Sequence, residues 1–413
     1  MIRNILILVF ILININLNSQ SLNLNESHII DLIRSREISG EFNSNLSLNI
    51  LPIDLNSSFF NVDSSFFNKK KYSPTLINST DNKFKLKILP IDYNFEYNSH
   101  HPYNRNNGSL IPNKGFQNLI SAGFFIEIGP LSVQLKPEFI YSENLNFPGF
   151  PESHYPIIWA KRYDGWNTID TPERFGNIRH NMQLLGQSYL KFKYKKLSIG
   201  ISNENIWWGP SIRNSIMMSN HARGFKHISF NTTSPVITPI GNFEWQIISG
   251  RLERSGYTPP NTDASYAGRK LYFRKWNQNG VYDDWRYLQA FIINYNPKWI
   301  KNLSVGIIRW AQMYSALVEG KYYWMEGSTS YFPLFSNLFR SNDKNVDTEE
   351  QVDQAGGIYF KWKWPDAKAE FYGEFHYNDS KWNFRDLILD TDHASGKTLG
   401  LRKIFTSKKN KNY

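Results

Sequence analysis

A segment in the middle of the chain carries the side chains best suited to bind a ligand. It reads IWWGPSIRNSIMMSNHARGF, from Ile206 to Phe225. Its adjacent tryptophans offer flat apolar surfaces of the kind on which sugar rings stack. The amides and guanidinium groups that follow can donate hydrogen bonds, and arginine binds carboxylate or phosphate through a bidentate fork. The candidate polysaccharide-binding residues are Trp207, Trp208, Arg213, Asn214, Asn220, His221 and Arg223.

The same tryptophans also fit a structural role. Successive residues of a β-strand point to opposite faces, so one indole at a strand end would lie in a membrane interface while the other faces inward. Gly209 and Pro210 would then turn the chain. An interfacial girdle followed by a turn, and an inward ring that stacks on a sugar, are both open interpretations of this motif.

Other candidates for chemistry are weaker. His100 and His101 diverge on an extended chain, and no further ligand stands at a spacing typical of metal sites. Glu370 and Glu374 share a strand face but would lie about 13 Å apart, which exceeds the roughly 5–9.5 Å of glycosidase carboxylate pairs. The sequence contains no nucleophile elbow, phosphate-binding loop or zinc-protease motif. We therefore expect no catalytic residues, no metal site and no cofactor.

The composition limits the class of protein. Aromatic residues reach 16% of the 413 residues, yet the mean hydropathy is only −0.48, a combination that suits a barrel with one lipid-facing and one wet face. The chain has no cysteine, which excludes disulfides, thiolate metal sites and a lipid-modified cysteine. Its formal net charge of +11 favours anionic polysaccharide or the phosphates of lipopolysaccharide as partners. No nucleic-acid motif accompanies that charge, so nucleic acid is not expected.

The first residues have the pattern of a targeting signal. Arg3 precedes an apolar run from Ile5 to Ile15 that is too short to span a bilayer. We expect residues 1–19 to be a signal peptide that is cleaved near Ser19, with an uncleaved anchor as the alternative. No later run approaches about 20 apolar residues. An exported chain of this kind can cross a membrane only as a closed barrel.

Residues 20–83 are expected to form a periplasmic N-terminal segment. The spacing of isoleucine and leucine from Asn25 to Arg36 predicts one short helix. Residues 40–82 are rich in asparagine and serine and read as irregular.

From residue 84 onward the pattern alternates with a period of two, which indicates strands. In LSVQLKPEFIY, Leu131, Val133 and Leu135 share one face, while Ser132 and Gln134 share the other. Several such segments run about 9–11 residues, the length that a tilted strand needs to cross a bilayer. Aromatic residues end several of these segments, as a membrane girdle requires. They are Tyr141, Trp207, Trp364 and Tyr377.

The predicted fold is therefore an all-β transmembrane antiparallel β-barrel of about 16–18 strands with a short N-terminal helical element. A soluble β-sandwich or propeller is the competing fold, because alternation alone does not say which face is buried. The signal peptide, the absence of cysteine and the aromatic strand ends favour the barrel.

Four segments of the sequence carry a resemblance to a known family. They are Ser99–Phe139, TPERFGN at Thr171–Asn177, the central block Glu204–Glu253, and Glu370–Phe405. Together they resemble the Wzi capsule-assembly family of Gram-negative outer membranes, in its Bacteroidetes branch. The resemblance covers residues from about 84 to the C-terminus.

The resemblance implies an outer-membrane barrel at 84–413, partly closed by inward loops, that is lectin-like and not an enzyme. Such a protein would bind capsular polysaccharide or exopolysaccharide and anchor or assemble it at the cell surface. Its other expected partners are outer-membrane lipids and lipopolysaccharide, and a monomer is expected. A porin or exporter-type channel for oligosaccharides is the alternative. Family chains continue past the GLRKIF-like strand at Gly400–Phe405, so a barrel truncated at the C-terminus is a further expectation.

Overall fold

The computed structural model describes most of the chain in segments. They are residues 21–22, 24–44, 46–54, 63–64, 67–68, 74–81, 83–169, 172–257, 265–270, 285–315, 352–378 and 394–405. The expected signal peptide at 1–19 lies outside these residues. The loop from Trp276 to Trp285, which the sequence also offers as a source of aromatic and cationic contacts to a polysaccharide, lies outside them too, apart from Trp285 itself.

Strands dominate the described residues, which contain only two α-helices. The first elements in chain order are β1 (Ser21–Leu22), α1 (Ser27–Ile38), β2 (Ile50–Leu51), β3 (Ile53–Asp54), β4 (Asp63–Ser64), β5 (Phe67–Asn68), β6 (Thr75–Asn78), β7 (Phe84–Ile88), β8 (Asp92–Asn98), β9 (Gly115–Ser121), β10 (Phe124–Ile128), β11 (Leu131–Leu135), β12 (Glu138–Ser142) and α2 (Pro156–Ile169). A short 3-10 helix, Leu24–Glu26, precedes α1. The remaining elements are β13 (His180–Leu184), β14 (Tyr189–Tyr194), β15 (Leu197–Ser202), β16 (Trp207–Trp208), β17 (His227–Thr232), β18 (Val236–Thr238), β19 (Gly241–Glu253), β20 (Ser265–Tyr266), β21 (Arg269–Lys270), β22 (Trp285–Pro297), β23 (Leu303–Tyr314), β24 (Val352–Trp364), β25 (Ala369–Asn378) and β26 (Ser395–Lys403).

The main sheet is an antiparallel meander. Its order is β6-β7-β10-β11-β14-β15-β17-β19-β22-β23-β24-β25-β26, and β18 pairs with β19 beside this path. Neighbours in the sheet are thus neighbours in the chain, as in an up-and-down barrel. The predicted all-β antiparallel architecture and its short N-terminal helix are confirmed. Within the described residues the cylinder is not closed, because β6 and β26 have no second partner there.

Four neighbouring long strands bend at a common level. Each is split into two halves, and the outer halves form a separate sheet in the order β13-β12-β9-β8. Prolines and glycines lie at the break between the two halves. Pro90 and Pro137 cannot donate a backbone hydrogen bond there, which interrupts the pairing of the strands. A Cβ atom on Gly123 would lie 1.9 Å from the carbonyl oxygen of Leu135, and Gly186 has a φ of +54°. The bend therefore depends on residues without a Cβ or without an N–H.

In a soluble protein the enclosed face of a sheet is apolar and the exposed face is polar. The main sheet has the reverse arrangement. On β11, Ser132 and Gln134 are 1% and 0% exposed, whereas Leu131 and Leu135 are 36% and 42% exposed. Neighbouring strands repeat this arrangement with further exposed apolar residues, including Leu190, Phe192, Ile199, Ile201, Ile228, Phe230, Ile307, Ile358, Leu399 and Leu401. A sandwich would bury these side chains, whereas a transmembrane barrel turns them outward. The sheet therefore has an apolar outward face and a largely polar inward face.

The N-terminal segment packs on the inward face. Its apolar side chains form a small core with Trp207, and charged side chains of α1 reach the sheet. Arg34 pairs with Glu370 at 2.6 Å and Lys363 with Glu37 at 2.9 Å. In the part of the chain that the structure describes, neither helix is long and apolar enough to cross a membrane.

The connections between strands alternate in length. Because the sheet is a meander, successive connections lie at opposite ends of the strands. Those at one end span residues 99–114, 143–179, 203–226, 254–284, 315–351 and 379–394. Those at the other end are short and span 79–83, 129–130, 195–196, 233–240, 298–302 and 365–368. The long connections thus share one end, which we call the long-loop end.

Candidate functional site

The paired tryptophans form the two-residue strand β16, which belongs to neither large sheet. It pairs with β2 of the N-terminal segment, with Trp207 opposite Leu51 and Trp208 opposite Ile50. Their exposed fractions are 8% and 0%. The prediction that one indole lies in an interfacial girdle is therefore wrong, because both rings are enclosed by protein.

The two indoles do point into different environments. Trp207 belongs to the core of the N-terminal segment, and Trp208 packs against inward-facing side chains of the sheet such as Ile248 and Leu288. The Nε1 of Trp208 donates to Gln246 Oε1 at 2.8 Å, and that of Trp207 to the carbonyl of Ser211 at 2.9 Å. In this structure the rings join the N-terminal segment to the wall and leave no open face for a sugar.

A folded-in loop follows the tryptophans. Gly209 has a φ of +102° and donates its N–H to Asn49 O at 2.9 Å. The loop returns at Met218, whose carbonyl accepts the N–H of Trp208 at 3.2 Å. Residues 209–218 thus form a loop that lies against the inward side of the sheet, and Arg213 and Asn214 are exposed at its tip.

A second loop, within the connection 99–114, is hydrogen-bonded to the connection 203–226 that contains the first, and we call these two connections the clasped loops. Asn106 Nδ2 donates to Arg213 O at 2.7 Å, and Asn220 Nδ2 donates to Asn106 O at 3.1 Å. The N–H of Gly108 donates to Asn220 O at 2.8 Å. Asn220 is only 8% exposed, so it holds the two loops together instead of facing solvent.

This second loop also brings in an arginine that sequence reasoning missed. Arg105 is exposed and donates to the side-chain oxygen of Asn214. The two positions are separated by 109 residues, so their proximity is not visible in either motif. The available signal was that NRNN, residues 104–107, lies within the first segment of the family resemblance.

The arginines of these loops differ from the buried cations of the inward face. Arg105, Arg213 and Arg223 are exposed, and none of them forms an ion pair with another described residue. Arg223 donates to the sulfur of Met182 at 3.8 Å. By contrast, several buried cations of the inward face are paired, as in Lys136–Asp92, Lys191–Glu204 and Lys193–Asp54. Within the part of the chain that the structure describes, the clasped loops therefore present guanidinium groups without a paired carboxylate.

The TPERFGN motif fastens a third connection at the same end. Arg174 donates to Asn144 O at 2.7 Å, and Asn144 Nδ2 donates to Phe175 O at 2.9 Å. The Phe175 ring packs edge-on against Tyr257, with centroids 5.3 Å apart. Tyr257 Oη lies 3.1 Å from His180 Nδ1. These contacts tie the connection at 143–179 to the end of β19.

The other candidates have structural surroundings. His100 and His101 are exposed with ring centroids 5.5 Å apart. Among the described residues, no group of three His, Cys, Asp or Glu side chains is arranged to hold a metal ion. Glu370 is paired with Arg34, and Glu374 accepts hydrogen bonds from the backbone of the folded-in loop.

Among the comparisons with known proteins, a family model identifies the family of this chain. The family model of the capsule assembly protein Wzi matches residues 102–411. No curated protein sequence matches the chain. A solved structure of Wzi from Escherichia coli, described as an outer-membrane protein involved in group 1 capsule assembly and as a carbohydrate-binding β-barrel, is 12% identical with a TM-score of 0.39. The match covers 73% of this chain and 50% of that one, so this chain spans half the length of that protein.

Proposed function

This chain belongs to the Wzi capsule assembly family, and we propose that it binds capsular polysaccharide or exopolysaccharide and anchors or assembles it at the cell surface. In this proposal it is an outer-membrane β-barrel and a monomer that catalyses no reaction. Its outward face contacts lipid and lipopolysaccharide, and its long-loop end carries the polysaccharide site.

The observation that carries the proposal is the set of unpaired arginines on the clasped loops. Arg105, Arg213 and Arg223 are exposed, and no carboxylate among the described residues pairs with them. Guanidinium groups form strong, bidentate hydrogen bonds with carboxylates and phosphates. Asn214 adds an amide beside them. An acidic polysaccharide supplies the matching anions.

Three of the remaining predicted site residues are buried beneath the exposed arginines. Trp207 and Trp208 are buried between the N-terminal segment and the wall, and Asn220 bridges the two loops. Their proposed role is to fix the loop that presents the arginines.

The outer-membrane location is supported by two features of the sheet. Its apolar face is turned outward and its polar face inward, as in transmembrane barrels. Long connections at one end and short turns at the other are typical of outer-membrane proteins, whose long loops are extracellular. A surface site for polysaccharide fits the long-loop end.

A binding role also fits the inward face better than an open channel does. The N-terminal segment and the folded-in loop both lie on that face and are held there by buried contacts. The channel alternative has no comparable support in the described residues.

The proposal is tested by direct binding of detergent-purified protein to capsular polysaccharide from the host strain. The double variant Arg105→Ala/Arg213→Ala removes two charged donors, each worth about 1.5–3 kcal/mol when it bonds an anion. We expect at least about a tenfold loss of affinity by biolayer interferometry.

The matched control is Lys298→Ala/Lys301→Ala, which removes the same charge from an exposed turn at the opposite end. This control should bind as wild type does. Equal binding by the arginine variant would remove these loops from the site. In cells, deletion of the protein should release polymer into the medium while the total amount persists.

A further inference from the structure

One carboxylate of the wall is fastened to the folded-in loop. Glu374, on β25, is 3% exposed and faces inward. Its Oε1 accepts the backbone N–H of Ser211 at 2.9 Å, and its Oε2 accepts that of Ile216 at 3.2 Å. The side chain therefore joins both ends of the six-residue stretch that contains Arg213 and Asn214.

The loop backbone is shaped to approach this carboxylate. At Gly209 a Cβ atom would lie 2.4 Å from Glu374 Oε1, so any other residue here would displace the carboxylate from its present position. Gly209 also has a positive φ of 102°, which other residues rarely adopt. A second wall contact supports the same stretch, because Thr398 Oγ1 lies 3.4 Å from Asn214 O, to which it donates.

Glu374 has no part in the ion pairs that hold the N-terminal segment. Its neighbour four residues earlier, Glu370, pairs with Arg34 of α1. Glu374 contacts His376, whose Nε2 lies 3.6 Å from Oε2, and its hydrogen bonds to backbone N–H groups go to the loop. The two carboxylates share one face of one strand but hold different parts of the molecule.

From this geometry we infer that Glu374 is a positioning residue for polysaccharide binding: it holds the loop 209–218 in the form that presents Arg213 and Asn214 to an anionic glycan. Glu374 itself does not touch the ligand. This inference rests on the proposed function and identifies Glu374 as the residue that preorganises the binding site. Binding then costs less ordering of the loop.

The first test replaces Glu374 with glutamine. An amide offers a single acceptor oxygen, and its NH2 group would face one of the two backbone donors. We expect Glu374→Gln to exchange the Ser211 and Ile216 amide protons at least about tenfold faster by hydrogen exchange and to bind the polysaccharide at least about tenfold more weakly. The control Asp366→Asn removes a carboxylate from the exposed short turn that precedes β25, and it should leave both measurements at the loop unchanged.

A cross-link separates positioning from a general effect on the barrel. A Cβ at Gly396 would lie 2.9 Å from Ile216 Cγ2, so cysteines at these positions are close enough for a disulfide. The chain has no other cysteine. In the background of Glu374→Gln, the pair Ile216→Cys/Gly396→Cys should restore binding when oxidised and lose it again on reduction.

The outcomes are distinct for the two proposals. If wild-type protein binds no polysaccharide, the proposed function fails, and hydrogen exchange at Ser211 and Ile216 still decides whether Glu374 holds the loop. Unchanged exchange in Glu374→Gln overturns the inference. So does a loss of binding that the oxidised cross-link leaves unrestored while heat-modifiable migration of the barrel is normal.

Discussion

Two pairs of buried charges on the inward face join α1 to strands far away in the sequence. Arg34 pairs with Glu370, and Glu37 with Lys363, across more than 300 residues. A buried charge that loses its partner destabilises a protein by about 3–5 kcal/mol. The pairs therefore define where the helix can dock, since any shift of register would leave charges unpaired.

The Glu37 pair makes docking of α1 dependent on pH. Burial alone raises the pKa of Glu37, but the charge of Lys363 and the hydrogen bond from Ser44 outweigh it, so the pKa lies below its ordinary value of 4.5. Because the folded state lowers this pKa, the stabilisation is complete above 4.5 and is lost as the pH falls through the lower, folded value. We expect protease cleavage of the N-terminal segment to increase only below pH 4.5.

The variant Glu37→Gln isolates this group from other carboxylates. It leaves Lys363 without its carboxylate, so cleavage at pH 7 should exceed that of wild type, and the change between pH 5 and pH 3 should flatten. An unaltered pH profile in the variant would assign the acid transition to other groups.

At the residue scale, sequence predicted exposed groups better than buried ones. Arg213, Asn214 and Arg223 lie exposed on one stretch, where they are accessible to a ligand, and their role in binding stays a prediction. Trp207 and Trp208 are buried because they pair with β2, more than 150 residues earlier. Alternation along a strand contains no information about such a distant partner. Arg105 was missed for the same reason, because its partner Asn214 lies 109 residues away in the sequence.

Among the elements, the bend across four strands is the feature that brings the clasped loops together. It separates β9 from β10 and β11 from β12, so the outer halves form their own sheet beneath the loop 99–114. The break at Gly123 requires close packing, because a Cβ there would meet the Leu135 carbonyl oxygen at 1.9 Å. The strand path must move if any side chain is added.

The bend therefore predicts opposite effects for two glycine substitutions. Gly123→Ala should lower the free energy of unfolding by about 1–3 kcal/mol, the usual cost of overpacking. The matched control is Gly356→Ala in β24, where a Cβ would meet its nearest atom, Ile308 O, at an ordinary 3.5 Å. That variant should be neutral or more stable by about 0.5–1 kcal/mol. Urea titration followed by tryptophan fluorescence measures both, and equal effects would contradict the packing argument.

Sequence patterns predicted the type of the long elements but not their breaks. The alternation in LSVQLKPEFIY gave one strand, whereas the structure has β11 and β12 on either side of Lys136–Pro137. The helix predicted at 25–36 is α1 at Ser27–Ile38. The two-residue strands β2 and β16 are too short to produce any periodic signal, yet they connect the N-terminal segment to the site.

For the molecule as a whole, the polarity of the two sheet faces and the lengths of the connections together indicate how the sheet is oriented in a membrane. The alternating pattern could not tell a sandwich from a barrel, because both have one apolar face. Burial resolves this, since the polar side chains are enclosed and the apolar ones exposed. The lengths of the connections then distinguish the two ends of the strands. The proposed site lies at the long-loop end, and the long loops of outer-membrane barrels are extracellular.

This orientation predicts which positions react from outside an intact cell. Single cysteines can be placed without background, because the natural chain has none. Ala222→Cys lies exposed at the long-loop end and Lys301→Cys exposed in the short turn 298–302. We expect a membrane-impermeant maleimide to label the first in intact cells and the second only after the outer membrane is permeabilised, because long loops of outer-membrane barrels face outward. Labelling of Lys301→Cys alone would place the arginine loops in the periplasm, and labelling of both in intact cells would mean that the sheet does not lie in the membrane.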